Sequence, residues 1–403
     1  MKICKKHECT ACKACSNICP KDAIDFKLDE LDNLYADINL HLCVGCNLCR
    51  SVCPQINKVL FNKTEYCYAS WSLDDKTRKN SASGGVASEI YKEYAREGEV
   101  FIGAEVIDRF EPVLGFGTSI SDIDRFKNSK YVYADPQYIY RKVASLLKLD
   151  KDVVFIGIPC QVAALKSYIN SIRISMEKLL LVDLVCHGVS SSEYLKKHIN
   201  TLQNKYNFSA DKCYFRDPDR HTYTYTFTLR NKGNIKYERG VHSDDMYQIG
   251  YHYGITYRAN CYGCIYAQRD RVGDITLADF CYVGVISPCL YDNKNVSCVL
   301  CNTQKGNFFI EKLMEKGKLY LEKRPVEEEW NYDKMFSHPT LLPKERKVFA
   351  TRYVKTKNFD ESMWWAAWKI VLKNKMKNHK YVETIRKYMP RILKNYLRVI
   401  LHN

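Results

Sequence analysis

The N-terminal segment repeats one cysteine pattern twice. The runs CTACKACSNICP and CVGCNLCRSVCP both follow the spacing Cys-x-x-Cys-x-x-Cys-x-x-x-Cys-Pro. Thiolates at this spacing bind two 4Fe-4S clusters, and the fourth cysteine of each run reaches the other cluster. The predicted ligands of one cluster are Cys9, Cys12, Cys15 and Cys53, and those of the second are Cys43, Cys46, Cys49 and Cys19. The chemistry predicted for this segment is the transfer of single electrons.

A pair of zinc knuckles is the alternative interpretation of these runs. It is disfavoured because structural zinc sites take four ligands per unit and rarely repeat a three-plus-one pattern. Cys4 lies outside both runs and is assigned no role. We therefore predict a two-cluster ferredoxin domain over residues 1–57.

Four further cysteines are predicted to lie in loops of the remaining chain. Cys160 and Cys186 each follow an apolar run that predicts a strand, and Cys261 and Cys264 form a Cys-x-x-Cys pair before another strand. Open α/β sheets place their sites at the carboxyl ends of strands, so these cysteines indicate a third 4Fe-4S cluster. Alternatively, the first two are buried thiols and the pair binds zinc or nothing. The rival pair in NVSCVLC lies in a predicted strand, where cysteine usually acts as a small apolar residue.

The segment Ser83-Gly84-Gly85 precedes a predicted helix and is a candidate phosphate-binding site. Glycine permits close approach of a ligand, and the free N–H groups at a helix start face an anion. A tight turn is the alternative interpretation. Iron-sulfur clusters pass single electrons whereas most organic substrates take two, so a flavin such as FAD is the expected link between the two.

Composition indicates a folded protein whose cysteines bind metal. The chain has 403 residues, 46% of them apolar, and 19 cysteines. The start MKICKKHECT has no apolar signal segment, and no apolar run approaches the roughly 20 residues of a membrane-spanning helix. We therefore expect a cytoplasmic protein, in which cysteines bind metal rather than form disulfides.

Strands that alternate with helices predict an α/β class with additional α+β elements. Alternation of Tyr223, Tyr225, Phe227 and Leu229 with threonines, before a turn, predicts a β-hairpin insertion. The predicted regions after the ferredoxin domain are 64–145 with the phosphate segment, 150–325 with the third cluster, and a basic helical tail over 344–403.

The tail carries most of the net charge of +16. Residues 344–403 hold 16 Lys or Arg and 4 Asp or Glu, a net charge of +12. A helix from Met363 is predicted to place Trp364, Trp368, Val371 and Leu372 on one face and lysines on another, and a similar pattern follows Pro390. Tryptophan with lysine on an amphipathic helix suits the anionic inner face of a membrane. Packing on the body is the alternative, and nucleic-acid binding is disfavoured because no recognised module accompanies the charge.

Five motifs in order resemble one known family. SASGGVASEIY, SKYVYAD, FIGIPCQVAALK, DLVCHGVSS and CYGCIYAQRDRVGDITLADF, behind the ferredoxin runs, are similar to the beta subunit of coenzyme F420 (deazaflavin) hydrogenases and dehydrogenases. The resemblance spans roughly residues 1–310. It implies a body that binds FAD and one 4Fe-4S cluster and moves hydride between the flavin and a second compound.

The resemblance also assigns residues by motif. It implies that Cys160, Cys186, Cys261 and Cys264 bind the body cluster, that Ser83, Gly84 and Gly85 contact the FAD phosphates, and that Lys130 and Tyr131 lie beside the flavin. We consider His187 and Asp279 candidate proton donors near it. Two features depart from the family: Cys281-Tyr282 replaces the usual aromatic-glycine pair, and the basic tail is an extension.

These observations predict an iron-sulfur flavoprotein oxidoreductase that links ferredoxin-type clusters to a two-electron organic compound. Family members in bacteria often accompany polysaccharide-synthesis enzymes, so the hydride partner is either a deazaflavin or a sugar-type substrate, and the electron partner is a protein such as ferredoxin. An electron-transfer subunit without its own substrate chemistry is one alternative. An iron-sulfur sensor or nucleic-acid-binding protein is another.

Overall fold

The computed structural model describes residues 2–290 and 295–378. Its strands are β1 (Ile24–Leu28), β2 (Leu34–Ile38), β3 (Tyr66–Ser72), β4 (Val100–Ile107), β5 (Glu111–Gly117), β6 (Val153–Gly157), β7 (Leu179–Leu184), β8 (Lys212–Tyr214), β9 (Phe227–Asn231), β10 (Asn234–Arg239), β11 (Ile275–Asp279), β12 (Ser297–Cys301) and β13 (Leu319–Lys323). Its α-helices are α1 (Ala14–Ile18), α2 (Leu48–Ser51), α3 (Asp75–Lys79), α4 (Val86–Arg96), α5 (Ile123–Phe126), α6 (Ile139–Lys148), α7 (Pro159–Ser171), α8 (Ser192–Tyr206), α9 (Met246–His252), α10 (Gln304–Glu315), α11 (Glu327–Trp330), α12 (Glu345–Thr356) and α13 (Phe359–Asn378).

The ferredoxin domain is a structural repeat as well as a sequence repeat. Antiparallel β1 and β2 pair, and a short helix follows the second cysteine of each run. Ala11 and Lys13 in the first run, and Gly45 and Asn47 in the second, all adopt left-handed backbone with φ between 52° and 71°. The same two bends therefore fold each three-cysteine loop back on itself.

One eight-stranded sheet, in the order β13-β3-β12-β11-β7-β6-β4-β5, forms the body. β11, β7, β6 and β4 are parallel, and β12 is antiparallel to both β11 and β3. The carboxyl ends of β3, β11, β7 and β6 therefore lie at one edge. Both predicted body regions contribute strands to this sheet, and its two faces are covered by buried apolar side chains. The mixed α/β class predicted from the sequence is confirmed.

Polar contacts attach the ferredoxin domain to the body through both cysteine runs. The hydroxyl of Tyr133 donates to the carbonyl of Ala11 at 2.7 Å, and Arg258 donates to the carbonyl of Cys9 at 3.1 Å. On the α7 side, the hydroxyl of Ser167 donates to the carbonyl of Val52 at 2.9 Å. These bonds hold the first run and the end of the second run against the body, whereas Cys46, earlier in the second run, is exposed.

The predicted hairpin is present but shorter than expected. β9 and β10 are antiparallel, and β8 joins them as a third strand. Tyr223 and Tyr225 are not part of the strand, because Thr222–Thr224 form a 3-10 turn and Tyr225 has φ 51°. Thr228 is fully buried, so the alternation of apolar residues with threonines does not produce the solvent-exposed face that such a pattern predicts.

The start of the tail packs on the body. Phe349 and Tyr353 of α12 and Met363, Ala367 and Val371 of α13 are buried beside α8 and α9. The predicted apolar face was wrong in one respect, because Val371 faces the body whereas the tryptophans at 364, 365 and 368 and Leu372 are exposed. No helix among residues 2–290 and 295–378 is long and apolar enough to cross a membrane. The second helix predicted after Pro390 lies outside the described residues.

Candidate functional site

The structure brings cysteines of the two ferredoxin runs close together. The charge of Cys53, from the second run, acts on Cys12 and Cys15, and that of Cys19, from the first run, acts on Cys49. Burial and the neighbouring charge of Cys53 raise the pKa of Cys12 to about 12. The exchange of the fourth cysteine, which makes Cys9, Cys12, Cys15 and Cys53 the first ferredoxin set, stays a prediction from the spacing.

Cys4, which the sequence left without a role, lies within hydrogen-bonding reach of Cys9 and Cys53. It therefore borders the first cysteine set. Nothing in its sequence context marks it, because it stands five residues before the first run and outside the repeated spacing.

The four body cysteines line one cavity. Cys160 is the second residue of α7, directly after β6, and Cys186 follows β7. Cys261 lies in the 3-10 turn Ala259–Gly263, and Cys264 comes directly after that turn. Two strand ends and one loop therefore deliver the four thiols to the same place, as the sequence predicts.

The chemistry of this donor set fits an iron-sulfur group. Burial, and then the charges of the other cysteines, raises the pKa of the Cys160 thiol well above its ordinary value, and burial raises the pKa of Cys261 to about 11. Thiolates crowded in this way repel one another until they bind a cation, and a coordinated thiol is deprotonated outright. Within the described residues, no three His, Cys, Asp or Glu side chains converge on a single-ion site.

A buried ion pair holds the loop that carries Cys264. Asp183 is fully buried in β7 and accepts from Arg271 at 2.8 Å, from the backbone N–H groups of Val272 and Gly273, and from the hydroxyl of Thr276. Arg271 itself lines the cysteine cavity. Because Arg271 also donates to the carbonyl of Tyr266, the pair fixes the backbone just after Cys264.

A cluster of polar side chains lies beyond the body cysteines at the same sheet edge and is called the polar pocket below; its members are His187, Asp279, Asp333, Arg216 and Tyr225. His187, directly after Cys186, lines the cysteine cavity and contacts Asp333, with Nε2 and Oδ2 3.2 Å apart. Asp279, at the end of β11, accepts from Arg216 at 2.6 Å and from the hydroxyl of Tyr225 at 3.0 Å. Asp279 thus accepts hydrogen bonds that position these two side chains, and its role as a proton donor stays a prediction.

Glu329 is a functional candidate that sequence reasoning missed. It lies buried in α11, and burial together with the charges of Asp333 and Asp279 raises the pKa of its carboxyl to about 9. The group therefore holds a proton at neutral pH. Asp279 lies 50 residues before Glu329 in the chain and Asp333 lies four residues after it, and the local sequence, VEEEW, resembles a solvated acidic turn.

Aromatic side chains border the pocket. Tyr131 stacks on Tyr251, with ring centroids 4.6 Å apart and planes inclined by 19°, and Arg216 lies 4.2 Å from the ring centroid of Tyr225. The charges of Arg216 and Asp279 both act on the hydroxyl of Tyr131. Lys130 is separate: its ammonium donates to the carbonyl of Lys127 at 2.7 Å, and burial lowers its pKa to about 7.

The segment Ser83-Gly84-Gly85 lies at this sheet edge, before α4. Ser83 donates to the carbonyl of Val296, and the N–H of Gly84 donates to the hydroxyl of Ser297, each at 2.9 Å. Ser297 pairs with Asp279 across β12 and β11, so the segment lies near the polar pocket. A Cβ atom on Gly84 would lie 2.4 Å from the carbonyl oxygen of Ser70. The absence of a side chain at Gly84 is therefore required by packing against the sheet, whatever the segment binds.

Fold and cysteine placement define an iron-sulfur protein with an α/β body. Residues 8–56 match the family model for a 4Fe-4S dicluster domain, and residues 150–327 match the family model for the C terminus of the coenzyme F420 hydrogenase/dehydrogenase beta subunit. The chain therefore combines a 4Fe-4S dicluster domain with a C-terminal domain shared by the beta subunits of coenzyme F420 hydrogenases and dehydrogenases.

Two known proteins are similar to parts of the chain. The F subunit of the F(420)H(2) dehydrogenase of Methanosarcina mazei is 28% identical over 188 residues, which cover 44% of this chain and 53% of the relative. The chain thus matches about half the length of that relative. A structure of the F420-reducing NiFe hydrogenase complex from Methanosarcina barkeri aligns with a TM-score of 0.42 and 18% identity, covering 79% of this chain and 92% of that one.

Proposed function

We propose that the chain is an iron-sulfur flavoprotein oxidoreductase that passes electrons between 4Fe-4S clusters and a two-electron organic compound through FAD. One observation carries the proposal. The cavity of the four body cysteines is lined by Thr10 and Gln55 of the ferredoxin domain and also by His187, which contacts the polar pocket. The body cysteines thus lie between the first ferredoxin set and the pocket.

The pocket offers contacts for a flavin and protons for a two-electron step. The start of α4 and Ser83 suit a diphosphate, because the first N–H groups of a helix attract anions. The stacked rings of Tyr131 and Tyr251 provide a flat apolar surface beside Arg216. FAD, when bound, converts between one- and two-electron transfer. Glu329 holds the proton that reduction of an organic compound consumes, and Asp279 keeps Arg216 and Tyr225 in place.

The compound that exchanges hydride is proposed to be a deazaflavin or a sugar-type small molecule, the latter in surface-polysaccharide synthesis. The name of the relative supports a deazaflavin, since that protein belongs to an F(420)H(2) dehydrogenase. Cys281, exposed beside the pocket where the family has an aromatic residue, supports a compound of different shape. Because that relative is a subunit, transfer of electrons to a partner chain that performs the substrate chemistry is the second candidate function.

Chemical analysis of anaerobically purified protein tests the cofactors. We expect about twelve iron atoms per chain, four for each of three clusters, with matching sulfide. We also expect one FAD per chain, released by acid. About eight iron atoms would leave only the ferredoxin clusters, and absence of flavin would contradict the flavoprotein. Turnover of a deazaflavin by the isolated chain separates an enzyme from an electron-transfer subunit.

The exposed face of α13 is proposed to bind an anionic membrane surface on the cytoplasmic side. Trp364, Trp365 and Trp368 are 43–49% exposed on α13, whose residues Met363 and Val371 are buried against the body. Lysines accompany them at 369, 373 and 375. Tryptophan and lysine together favour the interface of an anionic bilayer. Packing and membrane binding are thus compatible, because different residues of one helix serve them.

Replacing the three tryptophans by serine should weaken binding to anionic vesicles by at least about tenfold at low salt, since apolar burial is lost while the lysines remain. Vesicle flotation measures this. Truncation before α12 is unsuitable, because it removes the buried Phe349 and Met363. Phe308→Ser, which removes an exposed aromatic residue from α10, is the matched control. Equal flotation of the triple variant and the native protein would contradict membrane binding by this face.

A further inference from the structure

Two buried tyrosines between the first ferredoxin set and the body cysteines have hydroxyl groups without a hydrogen-bond partner among the described residues. They are Tyr140, which is fully buried in α6, and Tyr266, which is 4% exposed just after Cys264. A buried hydroxyl without a partner destabilises the folded protein, so a group that accepts from it is expected.

The surroundings of both hydroxyls contain cysteine sulfur from both sets. Tyr266 lines the body cysteine cavity, and the charges of Cys160, Cys12 and Cys264 all act on it. Tyr140 packs in the same apolar core as Cys12 and Cys160, and the charge of Cys12 acts on it more strongly than that of Cys160. Tyr266 therefore lies nearer the body set, and Tyr140 nearer the first ferredoxin set.

Two neighbouring tyrosines provide a comparison for the unpaired hydroxyls of Tyr140 and Tyr266. Tyr133 lies between the same two sets, yet its hydroxyl donates to the carbonyl of Ala11 at 2.7 Å. Tyr168 has its ring 6.3 Å from that of Tyr140, and Arg141 is the charged group that acts on its hydroxyl. The hydroxyl of Tyr133 thus has a protein acceptor, whereas those of Tyr140 and Tyr266 have none among the described residues.

We propose that Tyr266 and Tyr140 donate hydrogen bonds to sulfur atoms of the iron-sulfur clusters held by the body cysteines and by the first ferredoxin set, respectively. This inference rests on the proposed function, because it requires a cluster in the body cavity. Neutral tyrosine is a donor at physiological pH, and cluster sulfur is an acceptor. Hydrogen bonds to cluster sulfur stabilise the more negative reduced state and therefore raise the reduction potential. The two tyrosines thus set the driving force of the electron step between ferredoxin domain and body.

Single variants Tyr266→Phe and Tyr140→Phe of the anaerobically purified holoprotein test the proposal. Each removes one oxygen atom and keeps the ring in place. In a redox titration followed by electron paramagnetic resonance, we expect Tyr266→Phe to lower the reduction equilibrium constant of the body cluster roughly tenfold, which is about 59 mV for one electron. Tyr140→Phe should lower that of the first ferredoxin cluster by a similar factor. Iron content should stay at about twelve atoms per chain.

Tyr168→Phe is the matched control and should leave every potential unchanged. The body cluster is identified as the source of the electron paramagnetic resonance signal that is absent from the variant Cys264→Ser. Unchanged potentials in both variants, with full iron content, would overturn the proposal, and so would loss of iron in place of a shift, since the hydroxyls would then serve assembly of the site. About eight iron atoms in the native protein would instead show that the proposed function lacks its third cluster.

Discussion

Cys264→Ser is expected to lower the iron content of the anaerobically purified protein from about twelve to about eight atoms per chain. The variant should retain FAD, because the pocket residues Tyr131, Arg216 and Asp279 come from other segments. Flavin reduction by a one-electron donor that enters through the ferredoxin domain should slow by more than about 100-fold, the upper range for loss of a group that merely supports a metal ligand. Reduction by a two-electron donor should persist.

The informative result is the difference between two rates of flavin reduction, one with a one-electron donor and one with a two-electron donor. Cys160, Cys186, Cys261 and Cys264 surround a cavity that touches the ferredoxin domain on one side and His187 on another. If they hold the connecting cluster, its loss isolates the pocket from single electrons without destroying the pocket. Iron analysis, flavin analysis and stopped-flow reduction measure the three quantities. Cys289→Ser, which removes a partly exposed thiol outside the set and away from the pocket residues, is the control and should change none of them.

Two results would contradict this assignment. Twelve iron atoms in Cys264→Ser would show that the body cluster does not use this thiol. A fall to about eight iron atoms with unchanged one-electron reduction of the flavin would show that electrons reach the pocket by another route. Either result would leave the two ferredoxin clusters intact, because their ligands lie in residues 8–56.

The cysteine sites were predictable because their information is local. Each ferredoxin run carries three ligands and its proline within 12 residues, and Cys160 and Cys186 are marked by the apolar strands that precede them. The polar pocket was predictable only in part. His187 and Asp279 follow strands, whereas Arg216, Glu329 and Asp333 reach the pocket from the hairpin and from the segment after β13. No periodicity or spacing connects such distant residues.

The wrong predictions have physical causes. Alternation of Tyr223 and Tyr225 with threonine indicated a strand, but the carbonyl of Thr222 accepts from Arg216 at 2.7 Å, and the chain turns there. The helical pattern grouped the tail's tryptophans with Val371 because both are apolar. In the structure the smaller apolar residues pack on the body and the tryptophans remain exposed. Hydrophobicity alone does not distinguish the helix face that packs on the body from the helix face whose apolar side chains remain exposed.

His198→Gln is expected to destabilise the attachment of α13 by about 3–5 kcal/mol at neutral pH, the usual cost of removing one partner from a buried ion pair. His198 is buried in α8. Its Nδ1 lies 2.7 Å from Asp360 at the start of α13, and its Nε2 lies 2.9 Å from Asp245, which caps α9 and also accepts from Tyr237. Glutamine keeps some hydrogen bonding but leaves both carboxylates without a positive charge.

The effect should depend on pH with a defined sign. Burial acts to lower the pKa of His198, but Asp245 and Asp360 outweigh it and raise the pKa to about 10, whereas histidine in an unfolded chain titrates near 6.5. A group whose pKa is raised on folding contributes its full stabilisation below the unfolded value and loses it as pH rises through the folded value. The difference between native protein and His198→Gln should therefore be largest below about pH 6.5 and disappear above about pH 10.

Amide hydrogen exchange of α8, α9 and α13 in the holoprotein measures this difference, because protection reports the free energy of local opening. The expected loss of about 3–5 kcal/mol corresponds to protection lowered by more than about a hundredfold in these helices. His41→Gln, at an exposed position of the ferredoxin domain, should leave their protection unchanged. If the difference in amide protection between the variant and the native protein widened above pH 10, its pH dependence would have the wrong sign for a charged His198. Unchanged protection at pH 6 would show that α13 is held by its buried apolar face alone, through Met363, Ala367 and Val371.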